Sequence, residues 1–203
     1  MYYGALEAGG TKMVCAIGDA DKNIIDRISI PTGTPDQSVP AMIDYFKKYD
    51  ISALGIGTFG PADVNPNSPT YGSIMRSPKK AWEGFSLYKA FTDALGCLVV
   101  VDTDVNAAAW GEYLYGALKG LNSGMYLTVG TGIGGGIISD GRLIHGMEHP
   151  ETGHILIPRR TGDDIPCTCR FHQSCVEGLA SGPMLERRTG MKGKDISADS
   201  PVS

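Results

Sequence analysis

The chain has 203 residues, 18 Lys and Arg against 22 Asp and Glu, and a formal net charge of −4 at pH 7. With 42% hydrophobic and 20% charged residues it can bury a core and is not a disordered tail. No basic block points to nucleic acid. Apolar runs such as Cys97–Val101 fall far short of the roughly 18 residues a membrane span needs. The start, MYYGALEAGGTK, shows no basic segment followed by an apolar one, so a cytoplasmic location is expected. There are 28 glycines, about twice the usual share, and they cluster at a few turns. Of the five cysteines, Cys167, Cys169 and Cys175 lie together with His172 among them, which reads as a metal site before it reads as disulfides.

In chain order, residues 2–8 run into the turn Gly9-Gly10-Thr11-Lys12, and apolar Met13–Ile17 returns as a strand. Asp19–Asn23 turns again into Ile24–Ile30. Val39, Met42, Ile43, Phe46 and Tyr49 have helical spacing, which predicts a helix over 39–49. Ile51–Gly57 reads as a buried strand. Together these predict an α/β sheet of mixed strand direction. Residues 60–82, with Pro61, Pro66, Pro69 and Pro78, read as a long functional loop. Phe85–Leu95 is a predicted helix, Leu98–Val101 a strand, and Val105–Tyr115 an Ala-rich helix. A boundary is expected in Gly116–Gly124, giving one domain over 1–118 and a second over 119–203. Met125–Val129 and Ile137-Ile138 are strands around a second glycine turn. Strand, glycine turn, strand thus occurs twice, as in a duplicated α/β half.

Four stretches carry chemistry. Glu7-Ala-Gly-Gly-Thr-Lys12 has glycines that let backbone N–H groups approach a phosphate, a hydroxyl donor and a cation, although an ordinary hairpin turn has the same composition. Thr128-Val-Gly-Thr-Gly-Ile-Gly-Gly-Gly136 fits G-x-G-x-x-G, but strand rather than helix is expected to follow, so the dinucleotide fingerprint lacks its context. Two such turns suit a nucleoside triphosphate held between two half-domains. In Val101-Asp-Thr-Asp104-Val-Asn106, Asp102 and Asp104 are rival carboxylates at the carboxyl end of a buried strand; Asp104 also suits the N-cap of the following helix. Finally, His154, Cys169, His172 and Cys175 supply two imidazoles and two thiolates in a Cys-x-x-His-x-x-Cys knuckle plus one outlying histidine. That is a complete tetrahedral zinc set of structural type, with Cys167 able to replace a member. Glu151 and Glu177 flank it.

In this combination and order the motifs resemble the ROK family of sugar kinases, and most closely its bacterial fructokinase branch. The family's D-x-G-G-T-K appears as Glu7–Lys12, its N-D-x-N-A-A-A as Thr103–Ala109, its second phosphate loop as Gly130–Gly135, its E-x-G-H as Glu151–His154 and its cysteine-rich motif as Cys169–Glu177. The resemblance implies a ribonuclease H-like, actin-like α/β fold with two hexokinase-like lobes closing on ATP and sugar. It implies Mg²⁺ with the ATP, Asp104 as general base, and Asn106, Glu151, His154 and Glu177 as sugar-binding residues. Gly9, Gly10, Thr11, Lys12, Gly130, Thr131, Gly132 and Gly134 would then hold the nucleotide, and structural Zn²⁺ would sit on His154, Cys169, His172 and Cys175. Glu7 would be a longer arm to the same Mg²⁺ or its water. The implied reaction is phosphorylation of a hexose, D-fructose to fructose 6-phosphate first, glucose or an N-acetylhexosamine next; a homodimer is also in keeping with the family. A sugar-responsive repressor is not expected, since Glu7 leaves no room ahead of it for a helix-turn-helix. Family members continue well beyond this chain's length, so the second lobe is expected to be incomplete, and an inactive sugar- or zinc-binding remnant is the alternative to a working kinase.

Overall fold

The structure, a computed structural model, describes residues 1–77, 79–146 and 149–197. Pro78 of the expected 60–82 loop and the tail from 198 lie outside them.

Strands β1 (Tyr2–Ala8), β2 (Lys12–Asp19) and β3 (Ile24–Pro31) form an antiparallel meander, and β4 (Ile51–Thr58) and β5 (Leu98–Thr103) add to β1 in parallel. The resulting five-stranded sheet has the order β3-β2-β1-β4-β5, which is the expected mixed direction. Alternation works as the period of two requires: Leu6, Ala8, Met13, Cys15 and Ile17 turn inward. Helices α1 (Pro35–Phe46) and α2 (Leu87–Leu95) cover that face. Between them and the sheet lie Met42, Tyr45, Phe46, Leu54, Trp82 and Phe91, all buried.

Helix α1 starts four residues before the apolar spacing predicts. Pro35 occupies its first position, and the Gln37 side chain accepts from the Thr34 N–H at 3.1 Å; this start is set by capping, which an apolar count does not see. It stops at Phe46, so Tyr49 lies beyond it and donates its hydroxyl to Asp26 at 2.7 Å. Helix α2 likewise begins at Leu87 rather than Phe85, because the Ser86 hydroxyl accepts from the Lys89 N–H at 3.1 Å.

Helix α3 (Asp104–Tyr115) leads to a second, antiparallel sheet of β6 (Gly124–Val129), β7 (Ile133–Ser139) and β8 (Arg142–Leu143). It is wedged between the two sheets. A Cβ on Gly57 of β4 would meet Ala107 Cβ at 3.0 Å, and one on Gly136 of β7 would meet Ala109 Cβ at 2.7 Å. The Ala-rich helix and glycines on both sides therefore serve close approach of backbones as well as helix propensity. Residues 149–175 then form a loop with one short helical turn at Thr152–His154, followed by α4 (Val176–Ala180) and α5 (Gly182–Thr189).

Candidate active site

The junction of β5 and α3 separates the two rival carboxylates. Thr103, not Asp104, is the N-cap: its hydroxyl accepts from the Asn106 N–H at 3.2 Å. Asp104 is instead the first residue of the helix, and its Oδ1 takes the Val105 N–H at 2.8 Å. The cap expected at Asp104 is thus displaced by one residue, because the threonine ahead of it offers an equally good acceptor. Asp102 has no carboxylate oxygen to spare. Its Oδ1 accepts from Thr103 N at 2.7 Å and Asn106 Nδ2 at 2.8 Å, and its Oδ2 lies 2.7 Å from His145 Nε2. Asp104 opens on the cleft between the sheets. Asp104 keeps an exposed edge on the cleft, yet the protein packed around it pushes its carboxyl above the ordinary range, and the negative charge of Glu7 adds to this against the Val105 amide and His149.

Asp104 lines a cavity of about 350 Å³ together with Thr131, Gly132, His149, Glu151 and Glu177. The second glycine turn forms its wall and is held in three places. Gly130 N–H donates to Gly132 O at 2.9 Å, Gly182 N–H to Gly130 O at 2.7 Å, and Ile133 N–H to Glu177 Oε2 at 2.9 Å. Glu177 is thus fixed on the turn's backbone. Glu151 is aimed by a left-handed backbone, φ 48°, a conformation a glutamate adopts only when its surroundings impose it and one that concentrates at functional sites.

His154 faces two ways. Its Nδ1 lies 3.8 Å from Cys169 Sγ, while its Nε2 lies 3.9 Å from Glu151 Oε2 and 4.0 Å from Glu177 Oε1. On the sulfur side the donor atoms of His154, Cys169, His172 and Cys175 all fall within 4.8 Å of one another. Burial pushes the Cys175 thiol up to about 11, so a cation at the centre would have to supply the charge that holds its thiolate. The donors fit a tetrahedral N/S-preferring ion such as Zn²⁺. Cys167, the alternative donor, lies outside this group, with its sulfur against Gly178.

Other expected site residues are placed differently. Asn106 is fully buried and spends its amide on Asp102; it is not among the cavity-lining residues. The first glycine turn, closed by Gly9 N–H to Lys12 O at 3.0 Å, is also outside that lining, with Thr11 and Lys12 exposed and Lys79 beside Gly10. One cavity residue escaped the sequence reading. His149 Nδ1 lies 3.3 Å from Glu151 Oε1, and its buried Nε2 has no hydrogen-bond partner. Its signal was a histidine two positions ahead of a glutamate already singled out.

The sequence matches the ROK family over residues 3–201. The chain belongs to the ROK family. A relative from Bacillus subtilis (strain 168) is 48% identical over 194 residues, covering 96% of this chain and 65% of its own length. The fructokinase of Pediococcus pentosaceus is 45% identical over 202 residues, covering all of this chain and 70% of its own length. Among solved structures, a ROK family glucokinase from Streptomyces griseus in complex with glucose and AMPPNP superposes with a TM-score of 0.73 at 32% identity, over 93% of this chain and 60% of that one. This ROK chain therefore spans about two thirds of the length of the curated relatives it matches. Its sheet order and its structural neighbours give it the actin-like ATPase fold of the ROK hexokinases and glucokinases. Among the described residues no helix is long and apolar enough to cross a membrane.

Proposed function

We propose that this ROK chain carries the phosphoryl-transfer centre of a hexose kinase, with D-fructose as substrate and fructose 6-phosphate as product. The observation that carries the reading is the division of labour at 102–104: both carboxylate oxygens of Asp102 are engaged within the fold, while Asp104 faces a cavity walled by a glycine turn and by Glu151, His149 and Glu177. Asp104 accepts the proton of the sugar's C6 hydroxyl as that oxygen attacks the γ-phosphorus of Mg-ATP, and ADP leaves. Such transfer is mostly positioning and charge neutralisation, so one base and well-placed backbone amides suffice. The glycine turns at 9–12 and 130–135 hold the nucleotide's phosphates, with Lys12 as the neighbouring cation. Glu151, His154 and Glu177 hold sugar hydroxyls, and His149, with its free buried nitrogen, joins them. His154, Cys169, His172 and Cys175 would hold zinc, which when bound would supply rigidity and keep the His154 ring turned toward the two glutamates. Support for fructose comes from relatives named fructokinase at 45% and 46% identity; glucose is the second reading, since a structural neighbour binds it.

The test is ADP release by the 203-residue chain with Mg-ATP and a panel of hexoses, beside Asp104→Asn. Turnover on fructose is expected, with a loss of about 10³-fold or more in the variant. The raised carboxyl also sets the pH dependence. Its proton stays on to a higher pH than for a free aspartate, so kcat should fall as pH drops through a value above the ordinary carboxylate range. Folded, zinc-loaded protein inert toward every hexose would overturn the reading and leave a binding remnant; full activity in Asp104→Asn would overturn the assignment of the base.

A further inference from the structure

His145 stands outside the cavity and outside every motif above, yet it makes one of the shortest polar contacts between the two sheets. After β8, the Ile144 N–H extends the second sheet's ladder by donating to Ile137 O at 2.9 Å. The chain then crosses the cleft, and His145 Nε2 meets Asp102 Oδ2 at 2.7 Å. A carboxylate can only accept, so Nε2 carries the proton in this contact. The other Asp102 oxygen holds the Thr103 N–H and the Asn106 side-chain amide. Asn106 is 0% exposed and its Oδ1 has no partner, so Asp102 is what fixes its amide. Its own N–H returns to the Thr103 hydroxyl. The first turn of α3 is thus tied, residue by residue, to a side chain of the second sheet, and Asp104 sits inside that turn.

We propose that His145 is a positioning residue: by holding the second carboxylate oxygen of Asp102 from the segment after β8 it fixes the β5–α3 junction and so the aim of Asp104. His145 touches neither sugar nor nucleotide in this scheme, so its removal should cost turnover rather than sugar affinity. The proposal rests on the kinase reading for its effect on turnover, but the lock itself is a property of the fold.

The test compares His145→Ala, His145→Gln and wild type by two measurements. Glutamine presents an amide N–H at about the reach of Nε2. In the ADP-release assay His145→Ala should lower kcat about tenfold with the fructose KM within about twofold, and His145→Gln should recover most of it. In amide hydrogen exchange, residues 103–106 should exchange faster in the alanine variant, with β1 and β2 unchanged and the glutamine variant restored. Unchanged exchange at 103–106 overturns the proposal, as does faster exchange throughout the chain, which marks a general brace. A parallel rise in KM also overturns it. If wild type turns over no hexose, it is the kinase reading that fails; the exchange pattern then decides the lock alone, local and glutamine-restored for it, anything else against it.

Discussion

The two sheets of this chain are held together in different ways. Around the first, Met13, Ile17, Met42, Tyr45, Phe46, Leu54, Trp82, Leu87 and Phe91 are all within 2% of full burial. Among the described residues from 119 on, only Ile138 and Met184 rank with the largest fully buried side chains, and β6 leaves Met125, Leu127 and Val129 44%, 53% and 64% exposed. Order there comes from other sources: glycines packed on α3, the Glu177 carboxylate on the Ile133 amide, a bidentate Arg188–Asp163 pair and the four-donor His/Cys group. The lesson is a division between a region that keeps its shape by apolar burial and one that keeps it by specific polar ties and gathers four His/Cys donors. The cleft that Asp104 lines is made by the second leaning on the first through α3, so the two should respond to different perturbations.

The largest effect should come from a cavity in the first region. Phe91 is 0% exposed and meets Phe46 edge-on at 6.1 Å between ring centroids. Phe91→Ala removes that contact and leaves a void, at a cost of about 3–5 kcal/mol. Denaturant unfolding should show that loss, and the second region should unfold with the first because α3 has lost its platform. A cost under about 1 kcal/mol would mean that the first region is not the foundation the comparison makes it.

Next in size is disruption of the four-donor His/Cys group. A strong chelator, or Cys175→Ser at the buried thiol, should loosen residues 151–181 and free the His154 ring. We expect fructose affinity by calorimetry to fall about 10- to 100-fold, with the melting of the first region shifted by only a few degrees. Equal loss in both regions would erase the distinction; unchanged affinity would show that His154 is held without the cation.

The same division governs how much could be read from sequence. The first sheet announced itself through alternating strands and a glycine hairpin, because burial on one face writes a period of two into the residues. Its helix ends were misjudged where capping by Thr34 and Ser86 outweighed the apolar spacing. The His/Cys group was legible because donor chemistry is carried by residue type, and the structure gathers the same four side chains. What the sequence could not show was pairing across the cleft. Nothing in Asp102-Thr103-Asp104 says that His145, 43 residues on, meets the first carboxylate, or that Asn106 turns away from the cavity toward it. Such contacts depend on how two sheets lean together, and no local period records that.

The smallest predicted effect isolates one polar tie of the second region. Asp163 accepts from Arg188 at 3.0 and 2.8 Å and lies 3.7 Å from Arg159; the Asp163 and Arg188 side chains are 17% and 29% exposed. The Arg188 hydrogen bonds, outweighing partial burial, hold the Asp163 carboxyl below its usual range. A depressed carboxylate stabilises the folded state above its unfolded pKa, and that contribution disappears as pH falls through the folded value. Asp163→Asn should therefore destabilise the fold slightly at neutral pH, and variant and wild type should begin to converge as pH falls past the unfolded carboxyl's value and meet only below the lower folded one. The effect should appear in exchange of residues 157–190 and not in the first sheet. A difference that persists undiminished into acid would show that Asp163 acts through the shape of its loop, by accepting neutral hydrogen bonds that asparagine cannot reproduce, and the second region would then owe less to charge than its contacts indicate.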